Sequence, residues 1–123
     1  VEDTVLWLRE MNYLDDKTFA REWSRSRRES RNWGSIKITS RLREKGIAQE
    51  IIDELSRESA GEEETGAARR ALDGWLKRGG HEVPLEREGE IKAFRFLNSR
   101  GFPASVALSV LKESHTGTSP EES

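Results

Sequence analysis

The stretch GSIKITSRLREKGI, residues 34–47, decides the fold, because it recurs 55 residues later as GEIKAFRFLNSRGF, residues 89–102. The shift aligns glycines near both ends of the stretch and apolar residues at helical spacing between them. The match continues beyond the stretch, where Leu55 falls on Val110. A repeat of this length predicts tandem units of one supersecondary design, each packing against its neighbour.

Helical periodicity fills the rest of the chain and no strand alternation is convincing, so we expect an all-α fold. The expected helices are 4–11, 16–31, 36–45, 48–58, 61–78, 86–100 and 103–113. We expect Asn12 to end the first helix in a left-handed conformation and Ser35 to cap the third. Gly46 and Gly101 are expected to follow helix ends at left-handed positions.

These helices group into two three-helix units, residues 15–58 and 62–113, in an elongated or curved array. Residues 1–13 then form the last helix of an earlier unit whose start is absent. Residues 114–123 are polar and rich in Gly, Ser, Thr and Pro, which predicts a disordered tail.

Three of the four tryptophans, Trp7, Trp23 and Trp75, lie on apolar helix stripes and are expected in the core. Trp33 lies between a polar helix end and Gly34. Its position leaves two interpretations open, an exposed contact residue or a hydrophobic staple onto the next helix.

The composition excludes several classes of protein. The 123 residues include no cysteine and only two histidines, which argues against disulfides, thiol nucleophiles and a His-rich metal centre. No apolar run approaches the ~20 residues that cross a membrane, and no signal peptide opens the chain. We therefore expect a cytoplasmic protein that has no cofactor.

Charge is strongly segregated although the net charge is only −2. Residues 17–45 hold ten basic and three acidic side chains, a net charge of +7. Such a segment attracts phosphate backbones or an acidic protein surface, and the alternative is a merely solvated helix face.

Three blocks, taken in order, resemble the RecX family, regulators of the RecA recombinase. NYLDDKTFA, residues 12–20, resembles the family signature G-Y-L-D-D-x-x-F-A, with Asn12 in place of the usual glycine. Residues 33–47 are similar to its aromatic-G-x-x-x-I…L-x-x-K-G-I block. FLNSRGF, residues 96–102, is similar to its F-L-x-x-R-G-F block. The family generally carries three three-helix repeats, and most of the first is missing here.

The resemblance implies a non-enzymatic protein of DNA repair and the SOS response. Such a protein lodges in the groove of the RecA filament on single-stranded DNA and inhibits recombinase activity, coupled ATPase activity and filament growth. We expect a monomer, and direct contact with DNA is left open.

The expected contact residues come from the basic segment. They are Arg25, Arg27, Arg28, Arg31, Trp33, Arg41 and Lys45, because many cations stand there with little apolar surface to bury beside them. No nucleophile, catalytic base or phosphate-binding loop of the G-x-x-x-x-G-K-[ST] type accompanies them, so we expect no enzyme.

Two other functions remain open at this point. Helices 36–45 and 48–58 meet at a glycine, as in a helix-turn-helix DNA-binding domain. The second of these helices carries Glu50, Asp53, Glu54 and Glu58, which is the wrong sign for reading DNA. The other alternative is a helical adaptor with no nucleic-acid role.

Overall fold

The computed structural model describes residues 2–58, 61–80 and 85–116, which form six helices and no strand. The helices are α1 (Glu2–Arg31), α2 (Ser35–Glu44), α3 (Gln49–Glu58), α4 (Gly61–Gly79), α5 (Arg87–Ser99) and α6 (Ala104–Thr116). The all-α prediction is confirmed.

Helix α1 is continuous over 30 residues, so the predicted helix end at Asn12 is wrong. Residues 9–20 contain no glycine or proline, and an asparagine inside a helix costs less than about 0.7 kcal/mol relative to alanine. The left-handed asparagine is instead Asn32, with φ of 54°, directly after α1. Asp15 and Asp16 therefore lie inside a helix rather than at its start.

The first half of α1 has no core against it. Every side chain from residue 3 to residue 12 is exposed, and partial burial begins at Tyr13. Trp7 is 57% exposed, so its predicted place in the core is wrong. The apolar stripe is present as predicted, but no other described part of the chain covers it.

Two apolar clusters form the core. The first lies between α1, α2 and α3, and its buried members are Ala20, Ile38, Leu42, Ile47, Ile51 and Ile52. The second lies between α4, α5 and α6, and its buried members include Leu72, Leu85, Leu97, Phe102, Val110 and Leu111. Trp23 packs partly buried against the first cluster and Trp75 against the second. Each buried leucine or isoleucine stabilises the fold by roughly 1.5–3 kcal/mol.

Positions related by the 55-residue shift lie in similar surroundings. Leu42 and Leu97 are both buried, whereas Ile36 and Ile91 are both exposed. These matches support two units of one design, whose exact boundaries stay a prediction.

The sequence also predicts a linker over residues 81–85, and this linker and the predicted tail lie mostly outside the described residues. Residues 81–84 and 117–123 belong to this part. Helix α6 continues to Thr116, so the first three residues of the predicted tail are helical.

The turns after α2 and α5 have the same hydrogen-bond pattern. Gly46 and Gly101 have φ of 86° and 96°, which confirms both left-handed predictions. In the first turn the Ile47 N–H donates to the Leu42 carbonyl at 3.1 Å, and the equivalent bond in the second turn is 3.2 Å. This is the Schellman helix end, in which glycine avoids the penalty that a Cβ meets at positive φ.

The turn after α5 also packs against the start of α2. The Gly34 N–H donates to the Arg100 carbonyl and the Ile36 N–H to the Gly101 carbonyl, each at 2.9 Å. A Cβ on Gly34 would lie 2.3 Å from the Gly101 carbonyl carbon, and a Cβ on Gly101 would lie 2.4 Å from the Lys37 Cβ. We call this contact the unit junction, because it joins the two core clusters through their backbones.

Helix α2 is capped from another helix rather than by its own sequence. The predicted cap residue, Ser35, is the first helical residue, and Gly34 at the N-cap has no side chain to offer. The Ser35 N–H instead donates to Glu64 Oε1 on α4 at 2.7 Å. The negative charge of this carboxylate also interacts favourably with the positive end of the α2 dipole.

Candidate functional site

Part of the basic segment, residues 17–45, is used to hold helices together. Lys17 Nζ lies 2.7 Å from Glu54 Oε2, and Arg21 Nη2 lies 3.0 Å from Glu58 Oε2. The hydrogen bond from Lys17 lowers the pKa of Glu54 from its usual 4.5, and the hydrogen bond from Arg21 does the same to the pKa of Glu58. These four side chains tie α1 to α3.

Arg28 is a predicted contact residue that the structure removes from the surface. Its side chain is only 10% exposed, and Nη1 lies 3.2 Å from Glu63 Oε2 on α4. The Arg28 carbonyl accepts a 3.4 Å hydrogen bond from Arg70 Nη2 on the same helix. Arg28 therefore ties α1 to α4. The prediction rested on the small amount of apolar surface near Arg28 in its own unit. Helix α4 of the second unit supplies the surface that buries it.

The remaining arginines of α1 separate onto two sides of the helix. Arg25 lies on the side of Arg28, where both border a space of about 170 Å³ beside Glu58 and Glu63. Arg27 and Arg31 lie on the other side, where they border a larger cleft described below. The unpaired positive charge of the helix end is therefore concentrated on the side of Arg27.

Two tryptophans and three cations form a stack at this helix end. The rings of Trp23 and Trp33 meet edge to face with centroids 6.0 Å apart. The Arg27 guanidinium lies 5.3 Å from the Trp23 centroid and 5.6 Å from that of Trp33. Lys37 Nζ lies 4.6 Å from Trp33, and Lys45 Nζ lies 5.3 Å from Trp23. Such cation–π contacts are favourable by roughly 0.5–1 kcal/mol at exposed sites.

The two interpretations of Trp33 can now be compared. Its ring packs partly buried against the first core cluster, as the staple interpretation requires. It also borders the cleft, so one edge of it belongs to the candidate site.

The predicted contact residues on α2 are exposed. Arg41 pairs with Glu44 one turn away, at 3.0 Å between Nη1 and Oε2. An exposed pair of this kind adds at most about 1 kcal/mol and leaves the guanidinium accessible. Lys45 follows at the end of the helix and is exposed as well.

A polar cleft of about 540 Å³ opens between the end of α1 and the end of α5. Its lining residues are Arg27, Ser30, Arg31, Asn32, Trp33 and Arg100. Arg100 Nη2 donates to the Arg31 carbonyl, which places a guanidinium of the second unit beside two from the first. The Nε atoms of Arg27 and Arg100 are buried without a hydrogen-bond partner in the described structure. We call this feature the arginine cleft.

Lys37 stands close to the arginine cleft. Burial lowers the pKa of its ammonium group, and the positive charges of Arg100, Arg41 and Arg31 lower it further. The positive charges here therefore lie close enough to repel one another. A bound anion would reduce this repulsion.

Sequence reasoning missed two members of this surface, Lys37 and Arg100. Lys37 lies in the basic segment but is not among the predicted contact residues. Arg100 is related to Lys45 by the 55-residue shift, and both directly precede a left-handed glycine. Applying the repeat to the contact residues themselves would have found Arg100.

Two kinds of site are not found within residues 2–58, 61–80 and 85–116. No described helix is long and apolar enough to cross a membrane. No group of three or more His, Cys, Asp or Glu side chains there is placed to hold a metal ion.

The fold and the cleft define a class of protein: a tandem of three-helix units with a cationic surface where the units meet. Comparison with known proteins identifies the family within this class. A family model described as RecX, second three-helix domain, matches residues 15–55. No solved structure matches the chain.

Relatives that carry the name Regulatory protein RecX include the following three. The relative from Thermus thermophilus is 34% identical over 101 residues, 82% of this chain and 61% of its own length. That from Halorhodospira halophila is 36% identical over 97 residues, 79% of this chain and 57% of its own. That from Pelodictyon phaeoclathratiforme is 31% identical over 112 residues, 91% of this chain and 67% of its own.

The chain belongs to the RecX family. It spans about three fifths of the length of the Thermus thermophilus relative.

Proposed function

We propose that this chain is part of a non-enzymatic regulator of the RecA recombinase. It binds in the helical groove of the RecA filament on single-stranded DNA, limits filament growth and inhibits recombinase and coupled ATPase activity. The proposal joins family membership to the chemistry of the surface.

One observation carries it: the cationic surface at the end of α1 has no carboxylate partner among the described residues. Arg27, Arg31, Lys37 and Arg100 belong to no ion pair there, whereas Lys17, Arg21 and Arg28 each have one. Unpaired, crowded cations are suited to a negatively charged partner, and they speed and orient its association.

The structure disfavours the helix-turn-helix alternative. Helix α3 would have to enter the DNA major groove, but its carboxylates Glu54 and Glu58 are paired with α1. A recognition helix needs its side chains free and its charge positive. A helical adaptor without a nucleic-acid role stays as the outcome of a negative test.

The test mixes the protein with RecA-coated single-stranded DNA and, separately, with naked duplex DNA. Binding to the coated strand together with a fall in ATPase rate supports the proposal. Binding to naked duplex alone would favour the helix-turn-helix alternative, and binding to neither would favour the adaptor.

A single charge reversal tests the surface. Arg31→Glu changes an exposed cation at the end of α1, so the fold should survive. We expect weaker filament binding and a flatter salt dependence, because fewer charges meet the filament. The matched control is Arg95→Glu, an exposed cation of α5. Equal effects of the two changes would contradict a localised contact surface.

A further inference from the structure

The arginine cleft is assembled by the unit junction. Its first wall is the last turn of α1 with the two residues after it, and its second wall is Arg100 at the end of α5. The 2.9 Å bond from the Gly34 N–H to the Arg100 carbonyl holds the second wall in place. The cleft therefore exists only while the two units are docked.

The lining has the N–H donors of an oxyanion site, and among its guanidinium groups only Arg100 Nη2 has an acceptor in the described structure, the Arg31 carbonyl. Three guanidinium groups border the cleft, and a guanidinium presents its N–H groups in a fork that fits two oxygens of a phosphate. The Nε atoms of Arg27 and Arg100 are buried without a partner in the described structure, so donation to a ligand in the cleft falls to the terminal Nη groups. No described carboxylate lines the cleft.

The contrast with the opposite side of α1 is informative. There, Glu58 and Glu63 line the space beside Arg21, Arg25 and Arg28, and they neutralise two of those three cations. One side of the helix therefore carries cations that are mostly paired with carboxylates, and the other side carries cations without a carboxylate partner among the described residues.

We propose that the arginine cleft binds phosphate groups of a single-stranded polynucleotide, and that occupancy stabilises the unit junction. This rests on the proposed function for its biological setting, but the site is defined by its own chemistry. The cleft is open to solvent, and its three guanidinium groups carry more positive charge than one phosphate group neutralises, which favours a chain of phosphates over a free ion. Bound phosphates bridge Arg31 of the first unit and Arg100 of the second, so binding and docking stabilise each other.

The binding test measures anisotropy of a fluorescein-labelled oligo-dT of about 20 nucleotides, without RecA, over a series of salt concentrations. Arg31→Gln and Arg100→Gln should each weaken binding about tenfold. Each should also reduce the slope of log affinity against log salt by about 0.7, the value for one lost phosphate contact on a single strand. The control, Arg95→Gln on α5, removes the same charge from a residue outside the cleft and should leave the slope unchanged.

Because Arg100→Gln also perturbs the junction, Arg31→Gln decides the outcome. The Arg31 side chain is exposed, and it is its carbonyl that the junction uses. Equal slopes for wild type, Arg31→Gln and Arg95→Gln would overturn the proposal.

A second measurement identifies the source of the phosphate. Oligo-dT should raise the thermal unfolding midpoint of the wild type at micromolar concentration, and inorganic phosphate should do so only at far higher concentration. Equal potency of the two would overturn the polynucleotide assignment, as would equal binding of labelled poly-glutamate.

The two proposals fail separately. If oligo-dT binding depends on Arg31 but the chain has no effect on RecA, the proposed function is refuted and the phosphate site in the arginine cleft is not. If the chain inhibits RecA but its affinity for oligo-dT does not depend on Arg31, the phosphate site in the arginine cleft is refuted and the proposed function is not.

Discussion

Gly46 and Gly101 have the same left-handed backbone conformation, but only Gly101 touches another part of the molecule. A Cβ on Gly46 meets nothing within 4 Å, so alanine there should cost only the left-handed penalty, about 1–2 kcal/mol. A Cβ on Gly101 would lie 2.4 Å from the Lys37 Cβ, so Gly101→Ala should cost clearly more. Urea unfolding of both variants measures the difference, and equal losses would contradict the tight junction.

Arg27 and Arg31 are one helical turn apart and should nevertheless respond differently to charge reversal. Arg27 lies over both Trp23 and Trp33, so Arg27→Glu should lower stability and change tryptophan emission. Arg31 is exposed, so Arg31→Glu should change stability by no more than about 0.5 kcal/mol. Chemical unfolding followed by fluorescence compares the two. A neutral Arg27→Glu would mean that the stack does not stabilise the fold.

Residue identity alone predicted some of these roles and not others. Leu42, Leu97 and the glycines after them could be placed because burial and helix ends follow from local spacing. Asn12 and Asn32 could not be told apart by their own chemistry, because the backbone of an asparagine depends on whether the following residues continue the helix. The burial of Arg28 depends on a carboxylate 35 residues away, and no periodicity within α1 reports that contact.

At the scale of the helix, carboxylates of α3 make the packing of α1 dependent on pH. The pKa values of Glu54 and Glu58 are lower in the folded protein than their usual 4.5. A depressed pKa stabilises the fold above about pH 4.5, and this stabilisation is lost as the pH falls through the folded values. The Lys17 ammonium stays charged throughout, since the hydrogen bond with Glu54 raises its pKa.

The variant Glu54→Gln with Glu58→Gln tests this dependence. It should be less stable than the wild type at pH 7, and the two proteins should become more alike as the pH falls below 4.5. Urea midpoints between pH 3 and pH 7 measure the effect. Glu22→Gln, an exposed change on α1, serves as control and should follow the wild type at every pH. A constant difference between the double variant and the wild type would contradict the ion pairs.

Elements were easier to predict than their packing. The bounds of α2 to α5 agree with the periodicity to within about two residues, because each has an apolar stripe and a glycine or polar stop. The merging of two predicted helices into α1 was missed, although no glycine or proline separates them and the asparagine and aspartates between them are tolerated inside a helix. The cap from Glu64 was also missed, because it comes from a different helix.

At the scale of the whole molecule, the unit junction makes the two cores depend on each other. Bonds from the start of α2 to the turn after α5 couple the first cluster to the second. We therefore expect one unfolding transition, with circular dichroism and tryptophan fluorescence coincident. The fluorescence reports on both units, since Trp23 lies in the first and Trp75 in the second.

Gly34→Ala should separate the transitions. Gly34 has an ordinary φ of −86°, so alanine there meets no backbone penalty and tests the contact alone. The added Cβ would lie 2.3 Å from the Gly101 carbonyl, which forces the units apart. Two transitions in the wild type, or a single unchanged transition in Gly34→Ala, would contradict coupling through the junction.

The uncovered first half of α1 gives one helix two rates of amide hydrogen exchange. Residues 5–12 have only helical hydrogen bonds to protect their amides, and a helix of that length is barely stable in water by itself. Residues 17–30 open only when the first core opens, so their exchange requires most of the free energy of unfolding. Exchange monitored by mass spectrometry should show the first set labelled within seconds and the second set within hours. Slow exchange of residues 5–12 would mean that a second molecule covers them, and dilution of the protein would then restore the fast rate.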